Sequence, residues 1–390
     1  MMFRYYYFSI IVLFALNLFA QDFSNVDKLV LYGIEQKYYP GAQLLVGNDK
    51  SIIYYKNYGK YTYDSDSKDV SDSSIFDLAS LTKVVATTTA VMKLYDEEKI
   101  LLDDYVVKYI PEFNSYEKEK ITIRNLLLHN SGLKKWFPFY TNSKSKEDII
   151  RYICEMNLDY PTESMCKYSD LNMILLSEIV ERVTGKSFDE YCKEEIFIPL
   201  GMGETYFNPP YEKKQYCLPT EKDEYWRYKL IQGEVHDENA AVMNGISGHA
   251  GLFSNAKDLY LFMKMMLNSG IYEELNRETV YPVYKSLVKE ETVTLFTKRY
   301  KTDKYENHTA FGWMTKPIQE PEVKTQCGSL ISENSFGHTG FTGTSIWCDK
   351  DRKLIMIFLT NRIYPTRENY GITKIRPDLH DEIIKILTNN

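Results

Sequence analysis

Phe76-Asp77-Leu78-Ala79-Ser80-Leu81-Thr82-Lys83 sets a hydroxyl and an amine three positions apart at the head of an apolar run. Val84, Val85, Ala86, Ala90, Val91 and Leu94 follow at mostly helical spacing, so the pattern predicts a buried helix with Ser80 and Lys83 on one face. A serine hydroxyl attacks poorly at neutral pH unless a neighbour takes its proton. A lysine one turn away in a dry cleft can do so once burial has lowered its pKa. The helix N-terminus adds backbone N–H groups and the positive end of the dipole, which favour an oxyanion. Ser80 is the candidate nucleophile and Lys83 its proton acceptor.

Outward from this stretch the order of further motifs is informative. Leu126-Leu127-Leu128-His129-Asn130-Ser131-Gly132-Leu133 comes next, then Tyr168-Ser169-Asp170, then Gly337-His338-Thr339-Gly340-Phe341-Thr342-Gly343. This ordered set resembles the serine β-lactamase-like superfamily, in the branch of class C β-lactamases, low-molecular-weight penicillin-binding proteins, D-amino-acid peptidases and family VIII-type esterases. The resemblance runs from about Leu29 to about Leu387, and the block Gly245–Ser254 looks like the penicillin-binding protein 4B-like subgroup.

The resemblance implies catalytic roles for Ser80, Lys83, Tyr168 and His338, and a structural role for His129. It also implies that Asp170, Thr339, Gly340 and Phe341 meet substrate, the N–H of Phe341 pairing with that of Ser80 as an oxyanion hole. Two positions depart from the family pattern. Asp170 stands where an amide is usual, an acceptor-only group that holds Lys83 charged and repels an anionic substrate group. His338 stands where lysine is usual, so a permanent cation for a β-lactam or D-alanine carboxylate is replaced by a group only partly charged near neutral pH. Efficient β-lactamase activity is therefore not expected. Arg227 is the candidate carboxylate anchor.

The fold class follows from the pattern of elements. A predicted helix over 24–38 leads into strand-like runs at Ala42–Val46 and Ile52–Tyr58, joined by Gly47-Asn48-Asp49. Helical periodicity follows Asp170 up to Gly185 and recurs over 257–268, while 269–310 is charged and weakly patterned. From Phe311 strands return, with Leu354–Leu359 a continuous apolar run, and Leu379 to Leu387 reads as a closing amphipathic helix. The expected architecture is α/β (α+β): an antiparallel sheet flanked by the N- and C-terminal helices, plus an all-helical lobe. The sheet lobe is expected to take in about 21–75 and 310–390 and the helical lobe about 76–309, with the cleft at their junction.

Length and charge bound the rest. The 390 residues carry a net charge of −7 and a pI near 5.6, with cations and anions interspersed, so a nucleic-acid partner is not expected. Residues 1–20 pair Arg4 with an apolar run ending at Ala20, the shape of a signal peptide, and predict an exported, periplasmic or secreted protein; Leu18 at a small-residue site keeps an uncleaved anchor as the alternative. No stable membrane span is expected after leader cleavage, and the mature chain is expected to be monomeric. The six cysteines are widely and irregularly spaced, which favours scattered thiols over a disulfide framework.

Competing motifs fail on inspection. Ser247 is not in a nucleophile elbow, because His249 occupies the second glycine place. Gly185-Lys186-Ser187 lacks the upstream glycine of a phosphate loop. His236 and His249 with Asp237 and Glu238 lack helical two-His spacing, so neither metal nor cofactor is expected. The expected function is an exported serine hydrolase acting through an acyl-enzyme on peptide or amide bonds of cell-wall D-amino-acid peptides, with a small-molecule or cell-wall peptide as its ligand. The alternatives are a carboxylesterase on small acyl esters and a non-catalytic penicillin- or peptidoglycan-binding protein.

Overall fold

The computed structural model describes residues 21–115, 117–275, 282–304, 309–317 and 325–388; the leader expected over 1–20 lies outside the described residues. Chain order builds helix α1 (Ser24–Glu35), strands β1 (Gly41–Asn48) and β2 (Ile52–Gly59), and helices α2 (Thr89–Asp96), α3 (Asp170–Thr184) and α4 (Ala256–Leu267). Strands β3 (Met314–Thr315), β4 (Ser335–Thr339), β5 (Ser345–Asp349) and β6 (Leu354–Thr360) and helix α5 (Ile372–Thr388) complete the frame. The six strands form one antiparallel sheet in the order β3-β4-β5-β6-β1-β2, so the two ends of the chain meet at its centre, where β6 pairs β1 from Ala42–Thr360 to Asn48–Leu354.

The central strands are buried on both faces, and their side chains divide by parity as the two-residue repeat of a strand requires. On β6, Leu354, Met356 and Phe358 pack with Val26 and Val30 of α1 and with Ile375, Leu379 and Ile383 of α5. Ile355, Ile357 and Leu359 point the other way, into the larger core that contains α2, α3 and α4. Residue Gln43 is a polar exception on β1, and both ends of its amide are bonded: Nε2 donates to Ser71 O at 2.8 Å and Oε1 accepts from Ala256 N at 3.0 Å. Each deeply buried aliphatic side chain contributes about 1.5–3 kcal/mol, so both faces of this sheet contribute to the stability of the core.

Helix α3 is buried from Leu171 through Val180, with Asn172, Ser177 and Glu178 among the buried residues, and it stops at Gly185, whose φ of 71° supplies the left-handed cap. The segment after Ser80 differs from the expected regular helix. Ala79–Leu81 is a tight 3₁₀ turn, Lys83–Thr88 is a widened π turn, and only Thr89–Asp96 is α-helical. The 269–310 stretch, read as weakly patterned, contains a hairpin of Ile271–Leu275 with Pro282–Ser286 and a helix at Glu290–Thr297. All six cysteines are free thiols, in keeping with their scattered spacing. Among the described residues, no helix is long and apolar enough to cross a membrane.

Candidate active site

Ser80 sits at the end of a short strand, Phe76–Asp77, which pairs with Leu252–Ser254. The turn that presents it is pinned from both sides. Asp77 is buried, and its carboxylate accepts from Ala79 N at 2.8 Å and from His236 N at 2.7 Å. Burial raises its pKa, the backbone donors opposing. Ala79 takes a φ of 47°, a left-handed conformation in a residue with a side chain, so the turn holds local strain beside the candidate nucleophile.

Two side chains meet at Ser80 Oγ. Lys83 Nζ lies 2.9 Å away and the Tyr168 hydroxyl 2.8 Å away. Lys83 is fully buried and its three protons are all placed: on Ser80 Oγ, on His249 O at 2.7 Å, and on Asp170 Oδ1 at 2.8 Å. Burial alone would strip this ammonium; the Asp170 charge more than offsets it, and the pKa stands above the ordinary lysine value. Burial likewise raises the Tyr168 phenol, with Lys83 opposing and Asp170 reinforcing.

Two imidazoles lie close to the Tyr168 ring. His338 has its ring 5.9 Å from that of Tyr168, and its Nδ1 donates to Thr339 O at 2.8 Å. His129 lies 5.0 Å from the Tyr168 ring and its Nδ1 accepts from Ser169 N at 3.2 Å. Burial and the Lys83 charge push both down to about 3, so both are neutral at physiological pH.

The strand end beyond β4 is seated directly on the nucleophile turn. Thr342 Oγ1 donates to Asp77 O at 2.7 Å and Thr344 Oγ1 to Leu78 O at 3.0 Å. A Cβ on Gly340 would stand 2.4 Å from Leu78 O, so glycine here lets two backbones approach. This brings Phe341 to the wall of the cavity that Ser80 lines, a space of about 510 Å³. Among the described residues, neither the Ser80 nor the Phe341 N–H has a hydrogen-bond partner, which leaves both for an oxyanion. Arg362 fixes Phe341 from behind: its Nε donates to Phe341 O at 2.7 Å and its guanidinium lies 4.5 Å from the centre of the Phe341 ring.

Ser80, Lys83, Tyr168, Asp170 and Phe341 thus come together, with His338 one layer behind. Arg227 stands apart. Its guanidinium donates to Val235 O at 2.7 Å, to His236 O and to Asp223 Oδ2 at 3.1 Å, so it is occupied in holding the 235–236 loop and does not line the cavity.

Several cavity-wall residues carried little signal in sequence. Arg367 bonds Glu221 with Nη2 at 2.6 Å and Glu238 at 2.7 Å, and His236 Nε2 meets Glu221 at 2.9 Å. The residues weighed for a metal are spent on such pairs: His249 Nε2 lies 2.8 Å from Asp237 and Nδ1 lies 2.7 Å from Ser247 Oγ. Ser247, His249 and Asp237 form a chain like that of a hydrolytic triad. Ser247 is only 1% exposed and off the cavity wall, so the chain serves instead to hold His249, whose carbonyl holds Lys83.

With this geometry in place, the chain can be set against known proteins. The family model described as Beta-lactamase matches residues 26–377. The N-acetylmuramyl-L-alanine amidase of Bacillus subtilis strain 168 is 34% identical over 371 residues, spanning 87% of this chain and 80% of the relative. A protein of Escherichia coli K12, provisionally named as a D-alanyl-D-alanine carboxypeptidase, is 35% identical over 356 residues, spanning 83% of this chain and 79% of the relative. Among solved structures, the octameric penicillin-binding protein homologue from Pyrococcus abyssi superposes with a TM-score of 0.70 at 21% identity, covering 93% of this chain and 77% of that one.

Proposed function

The chain belongs to the Beta-lactamase family and is a serine hydrolase, and from that premise we propose that it opens amide bonds of cell-wall peptides outside the cytoplasm through an ester on Ser80. One observation carries this reading: a single oxygen, Ser80 Oγ, lies within 2.9 Å of an ammonium and 2.8 Å of a phenol on the wall of a cavity. The names of the two relatives support a substrate class of this kind, a muramyl-L-alanine amide or a D-alanyl peptide.

In the reaction, Ser80 Oγ bonds to the amide carbon while its proton passes to Lys83, which yields one to Asp170. The carbonyl oxygen becomes an oxyanion between the N–H groups of Ser80 and Phe341. Tyr168 protonates the leaving nitrogen, the C–N bond breaks, and Lys83 and Asp170 return a proton to Tyr168. Water then attacks the ester carbon; its proton follows the same path, and Ser80 regains its hydrogen as the C–O bond breaks. The balance is one amide and one water giving one acid and one amine.

The second reading, hydrolysis of small acyl esters, is favoured by the neutral His338, which makes no demand for a substrate carboxylate. The test is release of amino acid, followed by mass spectrometry, from an acyl-D-alanyl-D-alanine peptide and from a muramyl-L-alanine amide. Release by the wild type and not by Ser80→Ala sustains the amidase reading. Turnover of p-nitrophenyl acetate alone assigns the chain to the esterases.

A further inference from the structure

Lys135 stands on the wall of the Ser80 cavity with an exposed side chain, and among the described residues its ammonium has neither a hydrogen bond nor an ion pair. The other charges of the wall are matched. Asp170 is paired with Lys83, Asp237 with His249, and Arg367 with Glu221 and Glu238. Lys134, the neighbour of Lys135 in the chain, is paired with Asp159, and neither of those two lines the cavity.

The place of Lys135 is fixed through its backbone. Its carbonyl accepts from Asp170 N at 2.9 Å, and the Lys134 carbonyl accepts from Ser169 Oγ at 2.6 Å. The segment is thereby tied to the stretch whose Tyr168 hydroxyl meets Ser80 Oγ, while the four-carbon stem of Lys135 keeps its rotational freedom.

This free cation changes what the cavity asks of a ligand. Two other positions from which a substrate carboxylate would be met offer no charge: Arg227 is spent on Asp223 and two carbonyls, and His338 is neutral. The repulsion expected from Asp170 is offset by Lys83 at 2.8 Å. An anionic group arriving at Lys135 therefore gains a partner without displacing one, whereas a cationic group finds each carboxylate of the wall already bonded.

We propose that Lys135 is the specificity-determining cation of this cavity and takes a carboxylate carried by the substrate beside the scissile bond. The inference rests on the reading that Ser80 opens an amide, and it adds to that reading a charge requirement lodged in a residue outside the Ser80, Lys83 and Tyr168 group.

Two matched pairs of amides test it, one for each side of the scissile bond. The first is N-acetyl-D-alanyl-D-alanine and its C-terminal carboxamide; the second is glutaryl-D-alaninamide and pentanoyl-D-alaninamide. In at least one pair the wild type should favour the acid by about tenfold in kcat/KM, mostly through KM. The preference should shrink as sodium chloride is raised to roughly 1 M, where charges are screened within about 3 Å. Lys135→Ala should abolish it and Lys135→Arg should keep most of it. No preference for the acid in either pair, or a preference that Lys135→Ala leaves intact, overturns the anchor while leaving Ser80 as nucleophile. If neither pair is turned over, the amide reading fails and binding to Ser80→Ala decides the anchor alone. In that case the acid of at least one pair should bind at least roughly tenfold more tightly than its neutral partner by calorimetry, and lose that advantage when Lys135→Ala is added. Equal Kd values within both pairs overturn it.

Discussion

An amide at position 170 would leave the Lys83 ammonium without a counter-charge in a place water does not reach, and burial would then drive its proton off. The carboxylate present here does the reverse and keeps Lys83 charged above the ordinary lysine value. In the proposed reaction Lys83 therefore relays a proton in concert with Asp170 instead of waiting as a free amine. The wild-type kcat/KM is expected to be flat between roughly pH 6 and pH 9, since Lys83 does not titrate there. In Asp170→Asn the raising influence is gone, the Lys83 pKa drops, and activity should become low near pH 6 and climb as the amine loses its proton. A flat profile in Asp170→Asn contradicts the relay. The Ser80–Lys83 spacing and Tyr168 were readable because a helix fixes i and i+3 on one face and because the motifs recur in a fixed order. Arg367 with Glu221, or His249 with Asp237, gave no such signal: hydrogen-bonded partners 146 and 12 positions apart leave no period in a sequence. Arg227 misled for a related reason, since a guanidinium can be consumed by nearby carbonyls as readily as by a ligand.

The elements around Ser80 act as a clamp whose jaws are the 76–83 turn and the 339–345 strand end. Gly340 was expected to meet substrate; its missing side chain also admits the Ser80 turn itself, because a Cβ would meet Thr344 Oγ1 at 2.1 Å and Leu78 O at 2.4 Å. Gly340→Ala should push the strand end off the turn and misplace the Phe341 N–H. The expected loss is about 2.7–4 kcal/mol of barrier, roughly a hundredfold or more in kcat, with KM little changed. Unchanged kcat in a folded Gly340→Ala enzyme would show that the Phe341 N–H does not contribute. The strands were legible because two-sided burial gives continuous apolar runs such as Leu354–Leu359. The π turn at Lys83–Thr88 was not, since six consecutive buried residues fit a 3.6-residue repeat and a wider one equally well.

Across the whole molecule, imidazoles folded in their neutral form lower stability as the pH falls, opposed in part by the carboxyls that burial raises, Asp258 to about 6 and Asp77 above its ordinary value. Burial lowers His129 and His338 to about 3 and His380 to about 4, against 6.5 for the free side chain. Between these values the unfolded chain binds protons that the folded chain refuses, so stability is full above pH 6.5 and falls as the pH drops toward 4. Each group contributes a slope of up to about 1.4 kcal/mol per pH unit. Paired carboxylates add a second fall at lower pH: Glu221 is resisted by burial but held down to about 2 by His236 and Arg367, so its contribution is lost from about 4.5 toward 2. Chemical denaturation between pH 7 and pH 4 should show a steady decline, less steep in His380→Leu. A stability independent of pH over that range would mean that the imidazoles are not buried as neutral groups.

The claim on which the rest depends is that Ser80 is the reactive oxygen of the molecule. Treatment of the folded wild type with a fluorophosphonate, followed by intact-mass measurement and peptide mapping, reads this directly. One adduct per chain, on Ser80 and absent in Ser80→Ala, is the expected result. An adduct on another residue, or none on folded wild-type protein, would contradict it.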